Sequence, residues 1–313
     1  MSDVILSVNN LTITHKESKK TIVRNISFDI YENEIVGIIG ESGSGKSITM
    51  YSILGLIPNS IDVQGEIYFN GEKFDFSRLN LLRGKEIAMI FQDPLTSLNP
   101  VLKISEQVKL VSRSNGLKYE DSINNFRELI SSMGISNPER VLMSFPYQLS
   151  GGMLQRVVIA LVLLLKPKLI IADEPTTSLD VTVQREIIGI IKRISKEIKK
   201  SIIFITHDIM LAKDLVNRVL VMYAGEIIEV GKIEEITLTP LHPYTKLLIN
   251  SVPSVNNKHE KLTFLEGRVP HFSEINGGCV FFNRCPIAQV GKCDIYKPDV
   301  LNYSGHLVKC FFA

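Results

Sequence analysis

Between Gly40 and Ser47 the chain reads Gly-Glu-Ser-Gly-Ser-Gly-Lys-Ser, which fits G-x-x-x-x-G-K-[ST]. Small residues in that order let successive backbone N–H groups turn onto a polyphosphate. Gly40, Ser42, Gly43, Ser44 and Gly45 would form the cradle, Lys46 can reach β- and γ-phosphates, and the Ser47 hydroxyl suits Mg²⁺. The implied ligand is a nucleoside triphosphate. Farther along, Asp173-Glu174 ends an apolar run. Asp173 is placed to hold Mg²⁺ directly or through water, and Glu174 to act as general base on an attacking water. The plainer reading of that pair is an acidic helix cap, against which the preceding strand pattern weighs. His207, in Thr206-His207-Asp208, could hydrogen-bond a γ-phosphate as a neutral imidazole. Ser150-Gly151-Gly152 caps a helix N-terminus, a second place suited to an anion.

A third group of residues lies near the end of the chain. Cys279, Cys285, Cys293 and Cys310 are separated by five, seven and sixteen residues. By spacing alone, four thiolates suit tetrahedral Zn²⁺ or an iron–sulfur cluster equally, and neither standard C-x-x-C pair is present. The alternative is a tail of free buried cysteines.

These groups need elements to hold them. Ile5–Val8, Leu11–Thr14, Thr21–Val23 and Ile26–Ile30 alternate like strands around a polar turn, predicting an antiparallel lead-in sheet. Residues 34–40 read as a buried strand running into the phosphate loop, with a helix from Ile48 onward. Strand is expected again at Gly65–Phe69, followed by a tight Asn70-Gly71 turn, and at Ile87–Phe91. From about Ile104 to Phe145 the period becomes helical, and the apolar helix after Ser150 must be buried all round. A strand at Leu169–Ala172, a helix at Val183–Lys199, a strand at Ile202–Ile205 and a hairpin through Ala224-Gly225 complete the pattern. Strands alternating with helices imply a mainly parallel sheet with helices on both faces.

With 313 residues, 45% of them hydrophobic and 22% charged, the chain can bury a large α/β core plus an appendage. A net charge of +2 without a basic block gives no reason to expect a nucleic-acid partner. The start lacks the basic and apolar regions of a signal peptide, and the longest apolar run, Val157–Leu165, is about half what a bilayer requires. A cytosolic protein is expected, one free to dock on a membrane protein. Clustered cysteines in such a chain favour a metal over disulfides.

Over about residues 4–235 the chain resembles the ATP-binding cassette (ABC) ATPases. Gln92 stands in the Q-loop position, Leu149-Ser150-Gly151-Gly152-Met153 in the signature position, and Leu169 to Asp173 in that of Walker B with Glu174 after it. Ser178-Leu179-Asp180 matches the D-loop and His207 the switch histidine. The resemblance implies a P-loop NTPase fold with a RecA-like core, an antiparallel β subdomain and an α-helical subdomain at about 100–155. It implies that Gln92 also contacts Mg²⁺ and relays the γ-phosphate state to the membrane contact. It further implies that Ser150, Gly151, Gly152 and Asp180 serve ATP held by an opposite subunit, so two cassettes close head to tail around the nucleotide. The family often stacks an aromatic residue on adenine, for which the nearest candidate is His15.

No transmembrane helices, coiled-coil insertion or second cassette occurs here, which leaves a stand-alone cassette serving separate membrane subunits. Gln92–Pro100, Ser150–Arg156, Glu174–Asp180 and Pro240–Lys246 with Leu247-Leu248 and Val252-Pro253 resemble the oligopeptide/dipeptide permease ATPases. The implied partners are a second, distinct ATPase subunit, two integral-membrane permease subunits and an extracytoplasmic substrate-binding protein, with this chain at the cytoplasmic face of the membrane. Related systems carry nickel or oligosaccharides. The rival is a soluble ABC ATPase acting on nucleic acid or ribosomes. The division expected is a cassette at 1–235 and an extension at 236–313. The tail from about Lys258, with Gly278–Pro286 and His306–Cys310, looks like that group's cysteine tail, which implies a [4Fe-4S] cluster. Because the tail reads as short of core-forming residues, the metal is expected to act as a staple.

Overall fold

The computed structural model describes residues 3–251, 267–275 and 277–313. Val252-Pro253 and the stretch around Lys258 lie outside the described residues. The alternating start does form strands. β1 (Val4–His15) pairs antiparallel with β2 (Thr21–Tyr31), Leu6 facing Ile30 and Val8 facing Phe28. Leu6 and Val8 are fully buried, and a register shift between Val8 and Leu11 keeps Leu11 and Ile13 buried too, where a strict period of two would turn them outward. The apolar run before the phosphate loop is β3 (Ile35–Ile39), buried at every residue. The loop leads into α1 (Lys46–Ile53), two residues sooner than the apolar pattern from Ile48 implied.

β4 (Ile61–Phe69) opens before Gly65 because Ile61-Asp62-Val63-Gln64 already pairs with β1, His15 facing Ile61 and Thr14 facing Asp62. Pairing with a neighbour overrides the weak local pattern there. Asn70 and Gly71 both take positive φ, 48° and 78°, which suits the tight turn into β5 (Glu72–Phe74). These strands lie in the order β2-β1-β4-β5.

β6 (Ile87–Ile90) follows, and the helical stretch resolves into α2 (Ile104–Ser114), α3 (Tyr119–Ser132) and α4 (Pro138–Met143). Next come α5 (Gly151–Leu164), β7 (Leu169–Asp173), α6 (Val181–Ile198) and β8 (Ser201–Thr206). Then follow α7 (Ile209–Lys213), β9 (Arg218–Tyr223), β10 (Glu226–Lys232), α8 (Ile233–Leu238) and α9 (Pro243–Asn250). Two short strands close the chain, β11 (Leu301–Tyr303) and β12 (His306–Val308).

The chain forms two compact units, Met1–Leu79 with Phe204–Ala313 and Asn80–Ile203, the division falling inside β8. In the first, β9 runs parallel to β3, β10 antiparallel to β9, and β12 antiparallel to β10. The β11–β12 hairpin was not foreseen. Its Ser304-Gly305 turn, at φ 56° and 101°, between Leu-Asn-Tyr and His-Leu-Val is a legible hairpin signal. In the second unit β6 runs parallel to β7, and α5 is buried from Val157 to Leu164, as its unbroken apolar sequence required. Among the described residues no helix is long and apolar enough to cross a membrane.

Candidate functional site

The phosphate loop is held tightly inside the first unit. A Cβ on Gly40 would stand 2.2 Å from the Met222 carbonyl oxygen, so only glycine fits where β3 passes β9. Gly45 turns into α1 at φ 102°, a conformation that side chains resist. Lys46 is 4% exposed, and its ammonium donates to the carbonyl oxygens of Gly40 (2.7 Å) and Glu41 (2.9 Å). The Ser44 carbonyl accepts from the Gly225 N–H at 2.9 Å, tying the loop to the β9–β10 turn.

The same loop is gripped by residues to which the sequence reading gave no role. The Glu41 N–H donates to Tyr244 Oη at 2.9 Å, and the Glu41 carboxylate takes both terminal nitrogens of Arg284, at 2.9 and 3.1 Å. Burial pushes the Tyr244 hydroxyl far above the ordinary phenol range, so it stays protonated. His15 is half-buried at the end of β1 with its ring 6.3 Å from that of Phe272. His207 stands exposed after β8, while the next residue, Asp208, caps α7 through the N–H groups of Met210 (2.8 Å) and Leu211 (3.1 Å).

In the second unit the parallel pairing of β6 and β7 brings Gln92 and the Asp173-Glu174 pair to the same strand ends. Asp173 is buried at 1% exposure. Glu174 turns out of the strand at φ 44°, a strained value for a residue with a side chain. Its Oε2 accepts from Thr177 Oγ1 at 2.8 Å and from Gln92 Nε2 at 3.4 Å. Two predicted site residues therefore meet, and Thr177, which had no predicted role, orients the carboxylate.

Ser150 caps α5, its Oγ accepting from the Met153 N–H at 3.4 Å, and Ser150 and Gly151 are exposed. Asp180 is also exposed and caps α6 through the N–H groups of Thr182 (3.1 Å) and Val183 (3.0 Å). That cap was legible from Asp ahead of an apolar-periodic run.

The cysteine tail is built onto the first unit by more than sulfur. Phe281, 1% exposed, packs its ring 5.1 Å from Tyr223, 5.4 Å from Tyr244 and 5.7 Å from His242. Glu229 on β10 accepts from His306 Nε2 (2.7 Å) and from the N–H groups of Leu241 (2.7 Å) and His242 (3.0 Å). The tail thus has an apolar anchor of its own, which the expectation of a metal staple did not include.

All four cysteines are free thiols, and the Cys279 N–H donates to the Cys293 carbonyl at 2.7 Å. Burial pushes the Cys279 thiol up to about 11, its cysteine neighbours adding in the same direction, and burial also raises Cys285 and Cys310. Among the described residues no three His, Cys, Asp or Glu side chains group to hold a metal ion. Neither the iron–sulfur nor the zinc expectation gains support from this geometry.

Residues 23–177 match the family model described as ABC transporter, and residues 228–293 the one described as oligopeptide/dipeptide transporter, C-terminal region. The chain is 40% identical over 319 residues to the oligopeptide transport ATP-binding protein AppD of Bacillus subtilis, covering 98% of this chain and 96% of that one. It is 39% identical to the dipeptide transport ATP-binding protein DppD of the same organism, with 98% and 94% covered. Among solved structures, a dimeric ATP-binding cassette in a post-hydrolysis state with ADP and phosphate matches with a TM-score of 0.64 at 31% identity. That match covers 73% of this chain and 99% of the cassette.

Proposed function

Because the chain belongs to the ABC-transporter ATPases of the oligopeptide/dipeptide group, we propose that it powers an importer of di- or oligopeptides from the cytoplasmic face of the membrane. The observation that carries this is the identity to peptide-transport ATPases along nearly the whole chain, cassette and C-terminal region together. In this reading residues 1–235 are the cassette and 236–313 the extension. The partners are a second ATPase subunit, two permease subunits and a substrate-binding protein.

Each site residue has a part in the proposed chemistry. Lys46 and the N–H groups of Gly40–Ser47 hold the nucleotide phosphates. Ser47, Gln92 and Asp173 offer oxygen donors of the kind Mg²⁺ takes, and the ion when bound neutralises the β- and γ-phosphate oxygens. Glu174, held by Thr177, orients the attacking water and accepts its proton, while His207 hydrogen-bonds the γ-phosphate. Ser150, Gly151, Gly152 and Asp180 serve the nucleotide of a second subunit, for which an exposed helix N-terminus is suited. A metal in the cysteine tail remains the finer part of the proposal and rests on Cys279, Cys285, Cys293 and Cys310 as a sequence pattern; no step passes through it.

The test is to co-express the chain with candidate permease subunits from the same genome, purify the complex and measure peptide-stimulated ATP hydrolysis in proteoliposomes. Stimulation by di- and oligopeptides with the cognate binding protein supports the reading. Stimulation by nickel or oligosaccharide alone, or tight DNA binding by a protein that joins no permease, would replace it. Iron and zinc determination on anaerobically purified protein decides the tail: four irons with visible absorbance favour a cluster, stoichiometric zinc a structural site, and neither metal removes both.

A further inference from the structure

Glu41 is the acidic residue inside the stretch proposed to receive polyphosphate, an unfavourable place for a bare carboxylate. The structure answers that charge from more than 240 residues away in sequence: Arg284 grips both Glu41 oxygens, at 2.9 and 3.1 Å. Such a fork-on-carboxylate pair is directional as well as charged. The Arg284 side chain is only 8% exposed. Its guanidinium lies 5.7 Å above the Tyr223 ring, and Nη1 also reaches Tyr223 Oη at 3.2 Å. On the backbone side, Tyr244 from α9 takes the Glu41 N–H. Tyr223, Tyr244 and Phe281 form the aromatic cluster that seats the tail, and Arg284 directly precedes Cys285. The C-terminal extension therefore holds the first turn of the phosphate loop at two points.

We propose that Arg284 is a positioning residue for nucleotide binding: it neutralises Glu41 and fixes the loop, so that ATP affinity depends on the seated C-terminal extension. This rests on the reading of Gly40–Ser47 as the phosphate site. Binding linkage is reciprocal, so nucleotide must in turn tighten the tail around Arg284. No change of shape is required, only two groups that stabilise the same loop geometry.

The experiment titrates the full chain with a fluorescent N-methylanthraniloyl ATP analogue and Mg²⁺, comparing wild type, R284Q, R284K, E41Q and the E41Q/R284Q double variant. R284Q is expected to raise Kd by roughly 5- to 150-fold, the usual span of a coupling between sites. R284K, which keeps the charge and loses the fork, should fall between it and wild type. In the E41Q background the same Arg284 change should cost less than about three-fold, since the charge it answers has gone. A purely structural Arg284 would cost the same in both backgrounds, which would overturn the proposal, as would an unchanged Kd in R284Q. A second measurement needs no variant: Mg²⁺-ATP should slow hydrogen exchange at residues 279–285 of the wild-type chain, and unchanged exchange there also overturns it. Failure of the wild-type chain to bind the analogue would instead remove the phosphate-site reading, and this proposal with it.

Discussion

Two helix starts in this molecule are suited to anions, and they are finished differently. At α1 the loop is closed upon itself: Lys46 is buried on the Gly40 and Glu41 carbonyls, and the β9–β10 turn, α9 and Arg284 hold it from outside. At α5, Ser150 and Gly151 stand open, with the Ser150 cap spent on Met153 alone. The first has the character of a pre-organised receptor, whose binding free energy is not consumed in ordering the loop. The second has the character of a surface whose anion comes from elsewhere, in line with the proposed second subunit. The contrast extends to the carboxylates. Glu41 is neutralised by a bidentate arginine, whereas Glu174 accepts from the Thr177 hydroxyl and the Gln92 amide. One carboxylate is answered by a cation, the other is oriented by hydrogen bonds.

The largest effect expected lies on the Glu174 side. Glu174→Gln should retain ATP binding while slowing hydrolysis by roughly 10²–10⁴, the worth of a positioned base, read from single-turnover rates beside a binding titration. Near-normal turnover would remove Glu174 from the mechanism and leave its strained φ without a purpose. Next is the anchoring of the loop's surroundings. Phe281→Ala should cost about 3–5 kcal/mol by emptying the aromatic cluster, read by urea unfolding. With no tryptophan in the chain, tyrosine fluorescence can follow the unfolding, Tyr223 and Tyr244 of that cluster contributing among nine tyrosines. A loss under about 1 kcal/mol would mean the site collapses around the gap and the tail is seated by other contacts.

A pH dependence belongs to the same region. Burial, aided by Lys246, holds His242 at about 3 against an ordinary 6.5, and its Nδ1 accepts the Tyr244 N–H at 3.0 Å. Between those values the unfolded chain binds a proton that the folded one refuses. Stability is therefore fully present above about 6.5 and declines as the pH falls toward about 3, by up to roughly 1.4 kcal/mol per unit from this residue. His242→Asn, which can keep the cap without the titration, should flatten that slope in urea unfolding at pH 5 and pH 7. An unchanged slope would assign the acid sensitivity to other groups. The smallest effect is on the open side: Asp180→Ala should cost about 1 kcal/mol through loss of the α6 cap, read by thermal unfolding. If ATP turnover in the assembled complex falls by far more than that cost explains, Asp180 acts on nucleotide as well as on its helix.

Legibility in the sequence followed the range of the interactions. The phosphate loop, the apolar strand ending at Asp173 and the buried helix after Ser150 are local patterns, and the structure places each where its pattern said. Gln92 and Glu174 could be named separately, but their meeting depends on parallel pairing between strands about eighty residues apart. The grip of Arg284 on Glu41 leaves no local trace at all, since neither neighbourhood has a periodicity that points to the other. The same holds for Glu229, which reads as one polar residue in a strand and proves to be a buried acceptor for three donors. The tail reads as short of core-forming residues, but the pattern does not show that Phe281 packs on Tyr223 and Tyr244 from earlier in the chain.

The small β11–β12 hairpin has a bearing on solubility. Without it, β10 would present Glu229 and Val230 as open pairing positions, now occupied by Val308 and Leu307. An unpaired strand edge of that kind is a template for pairing with other chains. The hairpin exchanges it for a rim of three exposed residues, Leu301, Asn302 and Tyr303, too short to recruit much. Removing residues 301–313 should therefore make the protein prone to aggregate even where the fold of the remaining chain survives.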